Sequence, residues 1–142
     1  VATQCKLYRN TPQVIQPKTW TVLEFDKALR NDHNMSPDLT LITPPKNGDF
    51  IWARNVRWNG YVIPEGDDRP RQFMEQFCRD PYGAPDDTGA DDSLATPGKS
   101  WNTTMWPFLG RAGQPVGVRV WHDHHEPVEV GHCQFVGMTW DY

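Results

Sequence analysis

Apolar and polar residues alternate in short stretches along most of the chain, most clearly at Gly48–Trp58 (GDFIWARNVRW). There Phe50, Trp52, Val56 and Trp58 fall on one face of an extended ribbon, while Asn55 and Arg57 fall on the other. Successive side chains of a strand point to opposite sides of a sheet, so the pattern predicts a strand with one buried face. The same reading predicts strands at Cys5–Asn10, at Trp20–Asp26 and, more briefly, at Leu39–Thr43. Arg71–Arg79 (RQFMEQFCR) suits a helical turn as well as a strand. Strand is preferred, because an isolated helix of this length is marginal. Trp101–Phe108 reads as one more edge strand, although Pro107, which has no N–H to donate, weakens it. Val116, Val118 and Val120 alternate with Gly117, Arg119 and Trp121, and a turn at His122–Pro127 leads to Val128 and Val130. Finally Gln134, Val136, Met138 and Trp140 alternate with Cys133, Phe135, Gly137 and Thr139. A strand so close to the chain end is expected in the interior of a sheet, because free tails fray.

Turn chemistry separates these runs at Asn31–Asp38, at Pro44–Gly48 and across the polar stretch Asp80–Lys99. The chain has 13 prolines and 11 glycines, which cut it into the short elements that a sandwich or barrel needs. The expectation is one all-β domain over residues 1–142, with function on loops, edges or a subunit interface.

The formal net charge of −4 argues against a nucleic-acid partner, which calls for a basic stripe. No apolar run reaches the ~18 residues of a membrane span, and no signal-peptide core is expected at the N-terminus. Val1 fits either removal of a preceding Met or a GTG start in a GC-rich bacterial or phage gene. Cys5, Cys78 and Cys133 have no metal-ligand spacing, and reduced, buried thiols are expected. Arg54, Arg57, Arg69, Arg71, Arg79, Arg111 and Arg119 dominate the cationic side chains. Their planar forks suit buried ion pairs and interfaces, while pairing along strand surfaces is the plainer alternative.

With the strands in place, the chain resembles the tumour-necrosis-factor and complement-type globular heads. The residues that carry the resemblance are Trp20–Asp26 leading into LEFDKAL, Leu39-Thr40, and the Pro45…Gly48-Asp49-Phe50 turn into Asn55-Val56-Arg57-Trp58. Gly117–Trp121 and the closing Cys133–Thr139 complete the set. The resemblance implies a two-sheet jelly roll and a compact homotrimer packed through aromatic and aliphatic side chains. Seven Trp, six Phe and four Tyr are also more than one core of this size uses, and surplus aromatics belong at interfaces. Trp121, Phe135, Trp140 and Tyr142 are the candidate trimer contacts. The family's first and last strands are sheet neighbours, which would bring Cys5 near Cys133. The wording VLEFDKALRND…GDFIWARNVRW…RPRQFMEQF…VRVWHDHHEPV is similar to minor tail proteins of actinobacterial tailed phages.

Two segments offer metal chemistry. His122-x-His124 followed by Glu129 mimics the first metal motif of cupins, which are also jelly rolls, but the second motif that supplies a further His is missing downstream. A polar turn with locally bonded imidazoles is the plainer reading. Asp86–Asp92 has the oxygens and glycine of a calcium loop without its ligand spacing, so a solvated acidic loop is expected. No nucleophile elbow, P-loop or dinucleotide fingerprint occurs. The expectation is therefore a virion component without catalytic residue or cofactor, sited at the tail tip. Its partners would be copies of itself, other virion proteins and host-surface glycan. Capsid decoration, a stand-alone glycan- or protein-binding head, and a cupin-like metal enzyme are the alternatives.

Overall fold

A computed structural model describes residues 2–59, 73–83, 93–94 and 101–142. The expected continuation at Tyr61–Ile63, the Asp86–Asp92 acidic loop, Arg69 and Arg71 lie outside the described residues. The described residues form ten strands: β1 (Thr3–Arg9), β2 (Gln13–Ile15), β3 (Thr21–Val22), β4 (Lys27–Asn31), β5 (Gly48–Trp58), β6 (Phe73–Arg79), β7 (Ser93–Leu94), β8 (Trp101–Gly110), β9 (Val116–His122) and β10 (Val128–Thr139). They form two antiparallel sheets. The six-stranded sheet runs β4-β1-β10-β5-β8, with β2 also paired to β10. The four-stranded sheet runs β3-β9-β6-β7. The predicted jelly-roll sandwich is the observed architecture.

The inward faces follow the alternation. From β5 come Phe50, Trp52, Val56 and Trp58, and from β9 Val116, Val118 and Val120, all at most 1% exposed. Trp52 is the centre of the core. Its ring stacks on Phe50 at 4.9 Å, Phe108 at 5.0 Å and Phe135 at 5.9 Å, and its Nε1–H donates to the Phe108 carbonyl at 3.1 Å. Such offset aromatic contacts add to the stabilisation from area burial alone. Gly137 on β10 makes the stack possible, because a Cβ there would stand 2.9 Å from the Trp52 ring. Gly137→Ala is expected to cost about 1–3 kcal/mol by overpacking, read as a lower urea midpoint at unchanged m value.

The long β10 pairs with β1 and then β2 along one side and with β5 along the other. Its inward parity changes once, at a bulge where Val130 faces Trp58, His132 faces Arg57 and Gly131 stands between. The Asn59 carboxamide fills the space that a Gly131 side chain would take. Past the bulge, Cys133 and Phe135 point inward while His132, Gln134, Val136 and Met138 point outward.

Two expectations on strand extent are corrected. In Trp20–Asp26 only Thr21 and Val22 are strand, although Leu23 and Phe25 still reach the core and the Leu23 N–H donates to Val118 O at 2.7 Å. Leu39–Thr43 is not a strand but a single bridge, Ile42 to Val116. Leu39 has φ 57°, and Asp38 Oδ1 accepts the N–H groups of Thr40 and Leu41 at 3.0 Å each. That side-chain turn competes with the ladder for the same donors.

Candidate functional site

Among the described residues, the outer face of the larger sheet carries an unusually apolar strip. The register sets its residues in rows across β10, β5 and β8. Met138, Ile51 and Pro107 form one row, and Val136, Ala53 and Met105 the next. A solvated strand face would carry charge at such positions. Here β8 exposes Met105 at 65% and Leu109 at 42%, and Trp140, just past β10, is 62% exposed. Ile51, Ala53, Val136 and Met138, on interior strands, are half-buried. Polar side chains border these rows: Gln4 and Lys6 of β1 face Met138 and Val136, Asp49 of β5 faces Leu109, and others lie toward the far end. Asn55 Nδ2 donates to Gln134 Oε1 at 3.3 Å, and the Thr103 hydroxyl bonds Asn55 Oδ1. Arg57 and His132 follow, with Trp101 6.0 Å from the His132 ring. An apolar stripe bordered by bonded polar groups has the anatomy of a protein–protein contact.

The four sequence candidates for such a contact are not gathered in one place. Phe135 is fully buried in the chain's own core, 6.0 Å from Phe25 and 6.2 Å from Phe77, so it presents no surface to a neighbour. Its parity follows the bulge. Trp121 lies on the outer face of the other sheet, 6.5 Å from Trp20, with Arg119 placed over the Trp20 ring at 4.6 Å. Tyr142 packs edge-on to Phe50 at 6.1 Å and donates its hydroxyl to Lys46 O at 3.2 Å. Trp140 alone of the four stands exposed at the end of the larger sheet. The residues missed by sequence reasoning, Ile51, Met105, Leu109, Val136 and Met138, share a face through the β5–β8 and β5–β10 registers. The available signal was Ile51 and Ala53 at positions where Asn55 and Arg57 had been read as the polar face.

The structure does not assemble the cupin-like set. His122 continues the inward face of Val116, Val118 and Val120 and is fully buried, its ring 5.9 Å from Phe73. Its Nδ1 accepts the His124 backbone N–H at 3.1 Å, so the proton sits on Nε2, which donates to Ile15 O at 2.8 Å. Both nitrogens are thus engaged. Glu129 points away on β10 and accepts from Asn59 Nδ2 at 2.7 Å.

All three cysteines are buried. Burial pushes the Cys5 and Cys133 thiols up to about 12, which leaves little thiolate at neutral pH. β1 and β10 are neighbours as the resemblance implied, but Cys5 faces Gly137 while Cys133 faces Arg9. A four-residue offset separates them by roughly 13 Å, beyond the reach of a disulfide.

Between the sheets lies an ion pair. Arg54, on the inward face of β5, reaches Glu75 of β6, Nε to Oε1 at 3.5 Å, and both side chains are fully buried. Trp58 Nε1–H donates to Glu75 Oε2 at 3.1 Å, and Phe77 lies under the Arg54 guanidinium at 4.4 Å. Desolvation raises the Glu75 carboxyl to about 7 against the opposing pull of Arg54 and Trp58. For Arg54 the buried-pair alternative is the observed one.

No protein-family model matches the chain, and no curated protein is similar to it in sequence. Solved structures are similar in fold. Murine APRIL, a tumour-necrosis-factor-family structure, aligns over 94% of this chain and 98% of its own at 11% identity, with a TM-score of 0.56. The globular domain of zebrafish complement 1qA protein aligns over 98% and 97% at 14% identity, with a TM-score of 0.48. The chain folds as a jelly roll of the tumour-necrosis-factor type.

Proposed function

We propose that this chain is a non-enzymatic structural head that packs as a homotrimer through the outer face of its larger sheet. Its setting in this reading is a tailed-phage particle, as a minor tail protein at the tail tip that serves assembly or host-surface adhesion. The observation that carries self-association is the row-by-row apolar surface of Ile51, Met105, Leu109, Val136 and Met138 with exposed Trp140 beside it. Methionine and aromatic side chains are enriched where surfaces meet, and the polar Gln134–Asn55–Thr103 row supplies a rim. Buried thiols and the doubly bonded His122 ring support a role without covalent chemistry. The virion setting rests on the resemblance to actinobacterial phage tail proteins expected from the sequence alone.

Native mass measurement tests the assembly. The wild-type chain is expected at about three times its 16.4 kDa. Met105→Lys sets a charge on a side chain that is already 65% exposed, so the fold should persist while the trimer dissociates. A wild-type monomer at micromolar concentration would contradict the reading. Mass spectrometry of purified particles tests the setting: a few copies match the tail tip, and hundreds match capsid decoration. A second reading, a head that recognises glycan or protein, is favoured by the Trp20–Arg119–Trp121 group on the opposite sheet. Loss of sugar binding in Trp20→Ala, with the trimer intact, would select it.

A further inference from the structure

The β9–β10 turn carries the chain from one sheet to the other, and its last two histidines are buried His124 and exposed His125. His124, His125 and Glu126 are consecutive in this turn. Each offers one ligand atom, and these atoms all lie within 4.8 Å of one another. The His124 and His125 rings meet edge to face with centroids 4.4 Å apart, and His125 Nε2 stands 3.9 Å from Glu126 Oε1. Donors around a tetrahedral ion with bonds of ~2.1 Å are about 3.4 Å apart, so the cluster needs only a small contraction. Exposed His125 (57%) and Glu126 (72%) can supply that movement, while His124 is buried.

The rest of the turn is held in place. His122 cannot itself be a ligand without losing its bonds, yet those bonds tie down the turn: Nδ1 fixes the His124 backbone N–H, and Nε2–H anchors the ring to Ile15 O on β2. Pro127 restricts the backbone directly after Glu126. Ordering a flexible loop around an ion opposes binding, and much of that ordering is already present here.

We propose that His124, His125 and Glu126 bind one divalent transition-metal ion of the zinc class, with the remaining position open to water. Two imidazoles and a carboxylate suit zinc, nickel or copper and give little purchase to magnesium or calcium, which prefer oxygen sets. Glu129 lies outside the site, because it points away on β10 and bonds Asn59.

The test uses the full chain without a histidine tag, stripped of metal and titrated with zinc chloride by calorimetry, with native mass spectrometry for stoichiometry. One zinc per chain and a raised melting temperature are expected, because a ligand that favours the folded state stabilises it. His125→Ala carries the test, since an exposed side chain can be removed without unfolding the turn. It should weaken binding by at least about tenfold, the lower end of the loss seen when metal-supporting residues are removed. Glu129→Gln should bind as wild type does. The site is refuted by an absence of saturable zinc uptake, by equal uptake in His125→Ala, by loss of uptake in Glu129→Gln, or by calcium binding as tightly as zinc.

Discussion

Truncation after Gly137, which removes Met138–Tyr142, is expected to leave the chain unfolded. The missing residues complete an interior strand, since β10 lies between β1 and β5 up to Thr139. Thr139 is fully buried, faces Thr3 on one side and Phe50 on the other, and donates its hydroxyl to Asp49 O at 2.6 Å. The last residues then fasten two other segments. Asp141 Oδ2 accepts the Asp49 N–H at 2.5 Å, Tyr142 O accepts the Thr3 hydroxyl at 2.5 Å, and the Tyr142 ring closes over Phe50. Without them, Phe50 and the start of β5 would open to water beside the central Trp52 stack. Native stability is of order 5–15 kcal/mol, and losing an interior strand end with its aromatic cover removes a large part of it. The readout is amide dispersion in a nitrogen-15 NMR spectrum together with near-ultraviolet circular dichroism. A truncated chain that stays soluble with native dispersion would contradict the placement.

How much of this was legible follows from which faces are buried. β5, β9 and β10 each bury one face and leave the other outside, so their alternation is plain in the residues. β4 is different: Lys27–Arg30 are all exposed, and a strand with no buried face leaves no apolar trace. β2, with three residues, is too short for a period to show. The bulge at Gly131 reverses the parity of β10, and a reader who extends the alternation of Val128 and Val130 cannot see that Phe135 turns inward. His122 was within reach, because it continues the inward set of Val116, Val118 and Val120. The apolar outer face was only hinted at by Ile51 and Ala53, because it exists as a surface only once β8 lies beside β5 and β5 beside β10.

Arg54 shows the same limit for electrostatics, and it carries the second large effect. It sits at an inward position of β5 among Trp52, Val56 and Phe77, where a charge needs a counter-ion. The carboxylate that answers it comes from the facing sheet, 21 residues on. Glu75→Leu takes that carboxylate from a buried guanidinium and is expected to destabilise by about 3–5 kcal/mol, whereas a paired Arg54→Met/Glu75→Leu change should recover most of the loss. A double variant no more stable than the single one would show that the two charges act independently. The pair also sets a pH dependence. Glu75 titrates at about 7 when folded, against an ordinary value of 4.5, so the folded state holds its proton more tightly than the unfolded chain does. The stability from that proton is complete below pH 4.5 and is lost as pH rises through about 7. Glu75 alone therefore contributes a fall in unfolding free energy across this window, on the order of 3 kcal/mol if the full shift is realised. In Glu75→Gln, which has no proton to release, that contribution should be missing from the slope across the same window whatever the absolute stability. Urea unfolding of both proteins at half-unit steps from pH 4.5 to 7.5 reads it directly. Parallel pH profiles for the wild type and the variant would mean that Glu75 ionises in the core at its ordinary value.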